Sequence, residues 1–190
     1  MKSVKLSHES RQLLACALLL HNNLDPSDEK RIIEIHRPLR RDHAIKNKGV
    51  IIGIIDWKAS RNTKRAQKRV YWGPKNVDLT RRAFRLADEG KLEEAIRELD
   101  KIRWVAPRTA SAILMFYNPK KFTVMDKFAW AALKHLQLVS ETDFGYKTAK
   151  DYPAYNNFCL SLAKAFDHSL RDADRALWFI GVNKESEDDN

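Results

Sequence analysis

Apolar residues along this 190-residue chain recur at intervals of three and four, and few alternating β-branched runs interrupt them, so the pattern predicts an all-α protein. A first helix is expected over residues 7–24, with Leu13, Leu14, Ala17, Leu18 and Leu20 among its apolar positions. Asp25-Pro26-Ser27 reads as a turn and cap opening a second helix that carries Ile32, Ile33 and Ile35. That helix is expected to stop at Pro38, whose ring removes an N–H. Residues 42–55 contain VIIGII, the one candidate strand; with no partner strand in view, the segment is read as a buried helix. Gly73-Pro74 forms a loop, Asp78 or Thr80 caps the helix that follows, and Gly90 closes it at the C′ position. Leu92, Ala95, Ile96, Leu99 and Ile102 then make the cleanest apolar stripe in the chain. Only residues 103–106 separate it from Pro107, which suits the first turn of a helix bearing Ala110, Ile113, Leu114 and Tyr117, so the two helices form a tight hairpin. Asn118-Pro119 ends the second of them, residues 122–124 make a short apolar bridge, and Asp126 caps a helix running to Leu138. Of Phe128 and Trp130, two apart on that helix, at least one belongs to the core. Two further helices, 152–166 and 170–180, close the chain.

Charge sharpens this picture. The chain holds 35 Lys+Arg against 25 Asp+Glu, a formal net charge of +10, and its 44% hydrophobic content suffices for a globular core. Four of the acidic residues lie within 184–190, a tail expected to be disordered, so the body is more basic than the total suggests. From Trp57 to Lys75 run seven basic residues, Lys58, Arg61, Lys64, Arg65, Lys68, Arg69 and Lys75, with no acidic residue and with Trp57, Tyr71 and Trp72 interleaved. As a helix, the stretch places Lys58, Arg61, Lys64 or Arg65, and Lys68 on one face, where like charges repel unless phosphates neutralise them. Basic residues mixed with aromatics favour a nucleic-acid partner over a solvated face, and no Leu/Phe face is present to enter lipid. The longest aliphatic stretch, Leu13 to Leu20, falls short of the ~20 apolar residues that span a bilayer. No membrane partner and a cytoplasmic location are therefore expected. Cys16 and Cys159 sit in apolar helical surroundings without CxxC spacing and read as buried thiols. The six histidines show no HxxxH or HExxH spacing, so no metal site is expected.

Residues 99–130, LDKIRWVAPRTASAILMFYNPKKFTVMDKFAW, carry an apolar helix, a hairpin around Val105, a helix entered through Thr109-Ala110 and Ala112-Ile113-Leu114, then Pro119, Val124 and Asp126. This stretch resembles the helix-hairpin-helix region of the HhH-GPD DNA glycosylase superfamily, whose members place a Gly-Val-Gly hairpin before Thr-Ala-x-Ala-Ile-Leu and a Val-Asp after a short apolar bridge. WKASR, at 57–61, is similar to a Trp-Lys-Ser-x-Arg element in a poorly characterised bacterial and archaeal branch, while residues 1–56 agree only in being helical. The resemblance implies a two-lobed helical bundle with a hairpin lobe over about 78–138 and a second lobe from 1–77 with 139–183. It implies hydrolysis of the N-glycosidic bond of a damaged or modified base in double-stranded DNA, with Asp126 as the catalytic carboxylate that stabilises the sugar cation or activates water.

In the same reading Trp104, Val105, Ala106, Arg108 and Thr109 hold the DNA backbone, joined by Lys58, Arg61, Lys64, Arg65 and Lys68. Trp57, Tyr71 and Trp72 are the candidates for stacking on, or enclosing, a base rotated out of the duplex. Trp104 and Ala106 stand where the family has glycines. Family members that also cleave the strand use a lysine two positions after the hairpin. Here that position is Arg108, which cannot form an imine, so a monofunctional enzyme leaving an abasic site is implied. No cofactor is required, a monovalent cation fits at the hairpin, and the enzyme is expected to be a monomer, associated with the nucleoid in a prokaryote. One alternative is a non-catalytic helix-hairpin-helix DNA-binding protein, favoured by the lost glycines; another is a helical protein whose charge serves solubility. None of these residues fixes which base is excised.

Overall fold

The computed structural model describes residues 4–24, 28–59, 71–140 and 142–188. Among them the chain forms nine α-helices and no strand: α1 (His8–Leu24), α2 (Asp28–Asp42), α3 (Lys48–Ala59), α4 (Pro74–Asp88), α5 (Leu92–Asp100), α6 (Pro107–Tyr117), α7 (Lys127–His135), α8 (Tyr152–Phe166) and α9 (Leu170–Asp188). The protein is all-α, as the periodicity predicts, and VIIGII lies within helix α3. No helix among the described residues is long and apolar enough to cross a membrane.

Two helices organise the packing. Helix α6 is buried at every position from Ala110 to Tyr117, as a helix apolar on all sides must be, and α2, α3, α4 and α5 pack around it. Helix α9 is the second hub, against which α1, α7 and α8 pack. Leu92, Ala95, Ile96 and Leu99 of α5 form the buried stripe read from sequence, and α5 bridges towards α8 as well as α6. Side chains fasten the hubs to their neighbours. His36 of α2 reaches the carbonyls of Phe116 and Tyr117 with Nδ1, at 3.2 and 3.0 Å; with carbonyls as its partners that nitrogen carries the hydrogen and satisfies the open C-terminal end of α6. The Tyr117 hydroxyl donates to Asp88 at 2.5 Å and lies 2.9 Å from His43 Nδ1, tying together the ends of α2, α4 and α6. Burial and the Asp88 charge hold that phenol well above its ordinary range. The buried Arg175 of α9 pairs with Glu29 at the start of α2.

Several boundaries depart from the sequence reading. Helix α2 continues through Pro38 to Asp42; the N–H that proline lacks would have served Glu34, which lies on the exposed side where water can satisfy its carbonyl. Helix α4 begins at Pro74 with Gly73 as its N-cap, so neither Asp78 nor Thr80 is a cap. Thr80 is buried instead, accepting from the Ile45 N–H at 3.0 Å and donating to the Val77 carbonyl at 2.8 Å. Helix α7 ends at His135 and not at Leu138, because Gln137 adopts a left-handed φ of 55° and the Leu138 N–H turns back to the Leu133 carbonyl at 2.9 Å. Helix α9 extends past Ile180 to Asp188, well into the acidic segment expected to be disordered. Cys16 is exposed, whereas Cys159 is buried as expected. Gly90 behaves as read, with a φ of 79° and the Lys91 N–H returning to the Leu86 carbonyl at 2.9 Å. The Asp25-Pro26-Ser27 turn lies outside the described residues.

Candidate active site

Residues 122–126 run without regular secondary structure between α6 and α7, and a buried segment of this kind must find partners for its backbone. It finds them on two helices. Asn156 of α8 accepts the Thr123 N–H at 2.9 Å, the Tyr152 hydroxyl donates to the Thr123 carbonyl at 3.1 Å, and Ser111 of α6 accepts the Met125 N–H at 2.9 Å. This over-determined bridge delivers Asp126 to the start of α7. Its backbone is extended, and its Oδ1 accepts the Phe128 N–H at 2.8 Å, so it is the N-cap the sequence predicts.

The other carboxylate oxygen, Oδ2, accepts from the ammonium of Lys58 in the last turn of α3, and both side chains are only 12% exposed. Beneath them lies Asp174 of α9. It accepts from Thr123 Oγ1 at 3.1 Å and pairs with Arg171 one turn earlier on its helix. Burial pushes the Asp174 carboxyl above its ordinary range, although Arg171, Lys58 and the Thr123 hydroxyl all pull it down. Arg171 in turn covers the ring of Trp57 with its guanidinium 5.2 Å from the centroid, and Trp57 meets Phe116 edge-on at 5.1 Å. Tyr155 and Cys159 of α8 complete the cluster; burial drives both groups far up, and the charge of Asp174 adds to each. The interior of this protein thus gathers two carboxylates, a lysine and an arginine where α3, α7 and α9 converge. A buried carboxyl held above its ordinary range, as Asp174 is, beside such a charge cluster marks a functional site more often than a plain core does.

The hairpin between α5 and α6 is tight, with the Val105 N–H on the Ile102 carbonyl at 2.9 Å and Val105 itself buried. Trp104 is 39% exposed and holds a φ of 76°, the left-handed region that favours glycine. For a residue with a Cβ this conformation costs about 1–2 kcal/mol. The Arg103 guanidinium lies 5.8 Å from the Trp104 ring centroid. Ala106 is the N-cap of α6 and offers no side-chain hydrogen bond; Pro107 occupies the first turn, Arg108 is exposed and Thr109 half-buried.

Of the expected stacking residues, Tyr71 is 78% exposed, Trp72 is half-buried with its indole N–H on the Ile45 carbonyl at 3.0 Å, and Trp57 is engaged as described. Lys58, expected on the phosphate backbone, instead turns inward to Asp126, drawn by a partner 68 residues away. Arg61, Lys64, Arg65 and Lys68 lie outside the described residues. The sequence reading missed Thr123, Arg171 and Asp174; the one available signal was the alternation of acidic and basic residues from Arg171 to Arg175 at the start of α9.

Two cavities lie elsewhere, one of about 390 Å³ beside Trp72 and Lys46, the other of about 510 Å³ beside Phe144, Gln137 and Asn157; neither is lined by Asp126 or Lys58. Among the described residues no group of three or more His, Cys, Asp or Glu side chains is placed to hold a metal ion. Compared with family models, with curated proteins and with solved structures, the chain has no match in any of the three.

Proposed function

We propose that this protein is a DNA N-glycosylase that hydrolyses the bond between deoxyribose and a damaged or modified base. The observation that carries the reading is the position of Asp126. It is a helix N-cap carboxylate at the end of the bridge leading out of the α5–α6 hairpin, and Lys58, Arg171 and Asp174 are gathered around it. A carboxylate fixed in this way is preorganised to face the positive charge that grows on a sugar as its base departs, or to orient the attacking water. Each carboxylate oxygen has two lone pairs, so the Phe128 N–H and the Lys58 ammonium leave acceptor capacity on both. The uncapped N-terminus of α6, Arg108 and the exposed Trp104 supply donors, charge and an aromatic surface to the DNA backbone. At the hairpin Arg108 offers no amine nucleophile, so base release is assigned to water.

The test is a gel assay on end-labelled duplexes, each with one modified base, with wild type and Asp126→Asn compared before and after alkali. Asparagine preserves the cap, so the variant is expected to bind DNA unchanged and to lose base release by about 10²-fold or more. The shallow exposure of Asp126, with both oxygens already accepting protein donors, favours a second reading, a non-catalytic DNA-binding module. That reading requires no base release from any duplex in the panel, together with DNA affinity that is indifferent to Asp126→Asn.

A further inference from the structure

The cleft beside Phe144 lies away from Asp126, at the other end of α7, a helix about 14 Å long. Its volume, about 510 Å³, falls within the range of small-molecule sites, and its walls are held in place by the fold itself. Phe144, on the loop between α7 and α8, is wedged among other rings, with Trp130 at 5.3 Å, Phe158 at 5.4 Å and Tyr155 at 6.1 Å between centroids. Carboxylates fasten the loop on either side of it: Asp143 Oδ2 accepts the Ser140 N–H at 2.7 Å, and Asp151 Oδ2 accepts the Thr148 N–H at 2.8 Å. Phe144 and Phe158 are both half-buried, packed against the core and lining the cleft at once.

Gln137 lines the same cleft from the end of α7 and does so under strain. It stands just past the helix with a φ of 55°, a conformation that glycine or asparagine ordinarily supplies and that costs a residue with a longer side chain about 1–2 kcal/mol. Strain of this kind gathers at functional sites. What glutamine adds over glycine there is a long side chain ending in an amide. Asn157 of α8 brings a second amide to the cleft, and neither side-chain amide has a hydrogen-bond partner among the described residues. An amide holds a donor and an acceptor side by side, so it pairs in two bonds with a ring edge that presents an adjacent N–H and C=O. Phenylalanine faces suit a flat ring. Lys5 and Asp143, both exposed, contribute one charge of each sign to the lining, so the cleft calls for no net charge on its occupant.

The structure assigns this cleft to a neutral, planar heterocycle with a cyclic amide edge, the chemistry shared by nucleosides, pteridines and flavins. The ring lies against Phe144 and Phe158, and its N–H and C=O pair with the amides of Gln137 and Asn157. The site stands apart from Asp126 and does not depend on the DNA reading. The test is an NMR titration of the isotopically labelled full-length protein with guanosine, lumazine or riboflavin, and with indole as a flat ring that lacks a carbonyl. The expected result is saturable shifts of the Gln137 and Asn157 side-chain signals with at least one of the three cyclic amides. Affinity is expected to fall about tenfold or more in Gln137→Gly and in Asn157→Leu. Both variants are expected to melt close to wild type, because glycine relaxes the left-handed residue and Asn157 is exposed. Binding of guanosine alone names a nucleoside as the source of the ring, and binding of lumazine or riboflavin alone names a pteridine or flavin; each supports the assignment. No shift with any of the three, indole bound as tightly as they are, or affinity unchanged in either variant overturns it.

Discussion

The Asp174 carboxyl is buried, and burial raises its proton affinity above that of the same group in the unfolded chain. In the window between the ordinary aspartate value and the raised one, the folded state holds a proton that the unfolded state has lost. Stability therefore declines as pH climbs through that window. In urea unfolding at a series of pH values from about 4 upward, the stability of wild type relative to Asp174→Asn is expected to fall with rising pH; a difference independent of pH would count against it. Asp151 has the opposite sign. Burial opposes ionisation, but N–H and hydroxyl donors from Thr148 and N–H donors from Lys147 and Gly145 outweigh it and lower its proton affinity. Its contribution is present at neutral pH and lost as pH falls through the lowered value, and Asp151→Ala is expected to cost about 1–3 kcal/mol at pH 7. Trp104→Gly relieves a left-handed backbone and loosens the unfolded chain by a similar amount, so the melt is expected to move by less than about 1 kcal/mol equivalent. DNA affinity is expected to drop in the same variant, which binding curves at fixed salt would show. Asp126 is legible in the amino-acid sequence, because capping and the motif around it are local. Lys58 and Asp174 are not, because an ion pair across 68 residues and a carboxyl buried only when the helices pack leave no trace in spacing.

At the scale of elements, the contact between α7 and α9 decides where Asp126 sits. A Cβ on Gly181 would collide with the Phe128 carbonyl, two residues past Asp126, so the helices cross with backbone against backbone. Gly181→Ala is expected to destabilise the fold by about 1–3 kcal/mol, measured by urea unfolding, and to slow base release by moving the N-terminus of α7. Most helices are legible in sequence because their stripes repeat at 3.6 residues. The misplaced boundaries share one cause. Pro38, Thr80 and Gln137 are decided by whether a backbone or hydroxyl group finds water or a distant partner, and that depends on neighbouring helices. At Gly90, by contrast, one residue type suffices, since glycine enters the left-handed region without strain.

For the whole molecule, a net charge of +10 predicts that DNA affinity falls steeply with salt, log Kd rising linearly with log salt by about 0.9 per phosphate neutralised. A flat dependence in fluorescence anisotropy would remove the DNA reading altogether. The amino-acid sequence by itself determined the all-α class, most helix spans, the hairpin and Asp126, since each follows from periodicity, turn chemistry or a cap confined to a few neighbouring residues. Only the tertiary structure decided that Lys58 faces Asp126, that Arg171 covers Trp57 above a buried Asp174, and that Trp104 takes a glycine's conformation. The physical reason is range. Hydrogen-bonded helices are built from contacts three and four residues apart, whereas desolvation and ion pairing act between groups that adjoin only after the helices have packed.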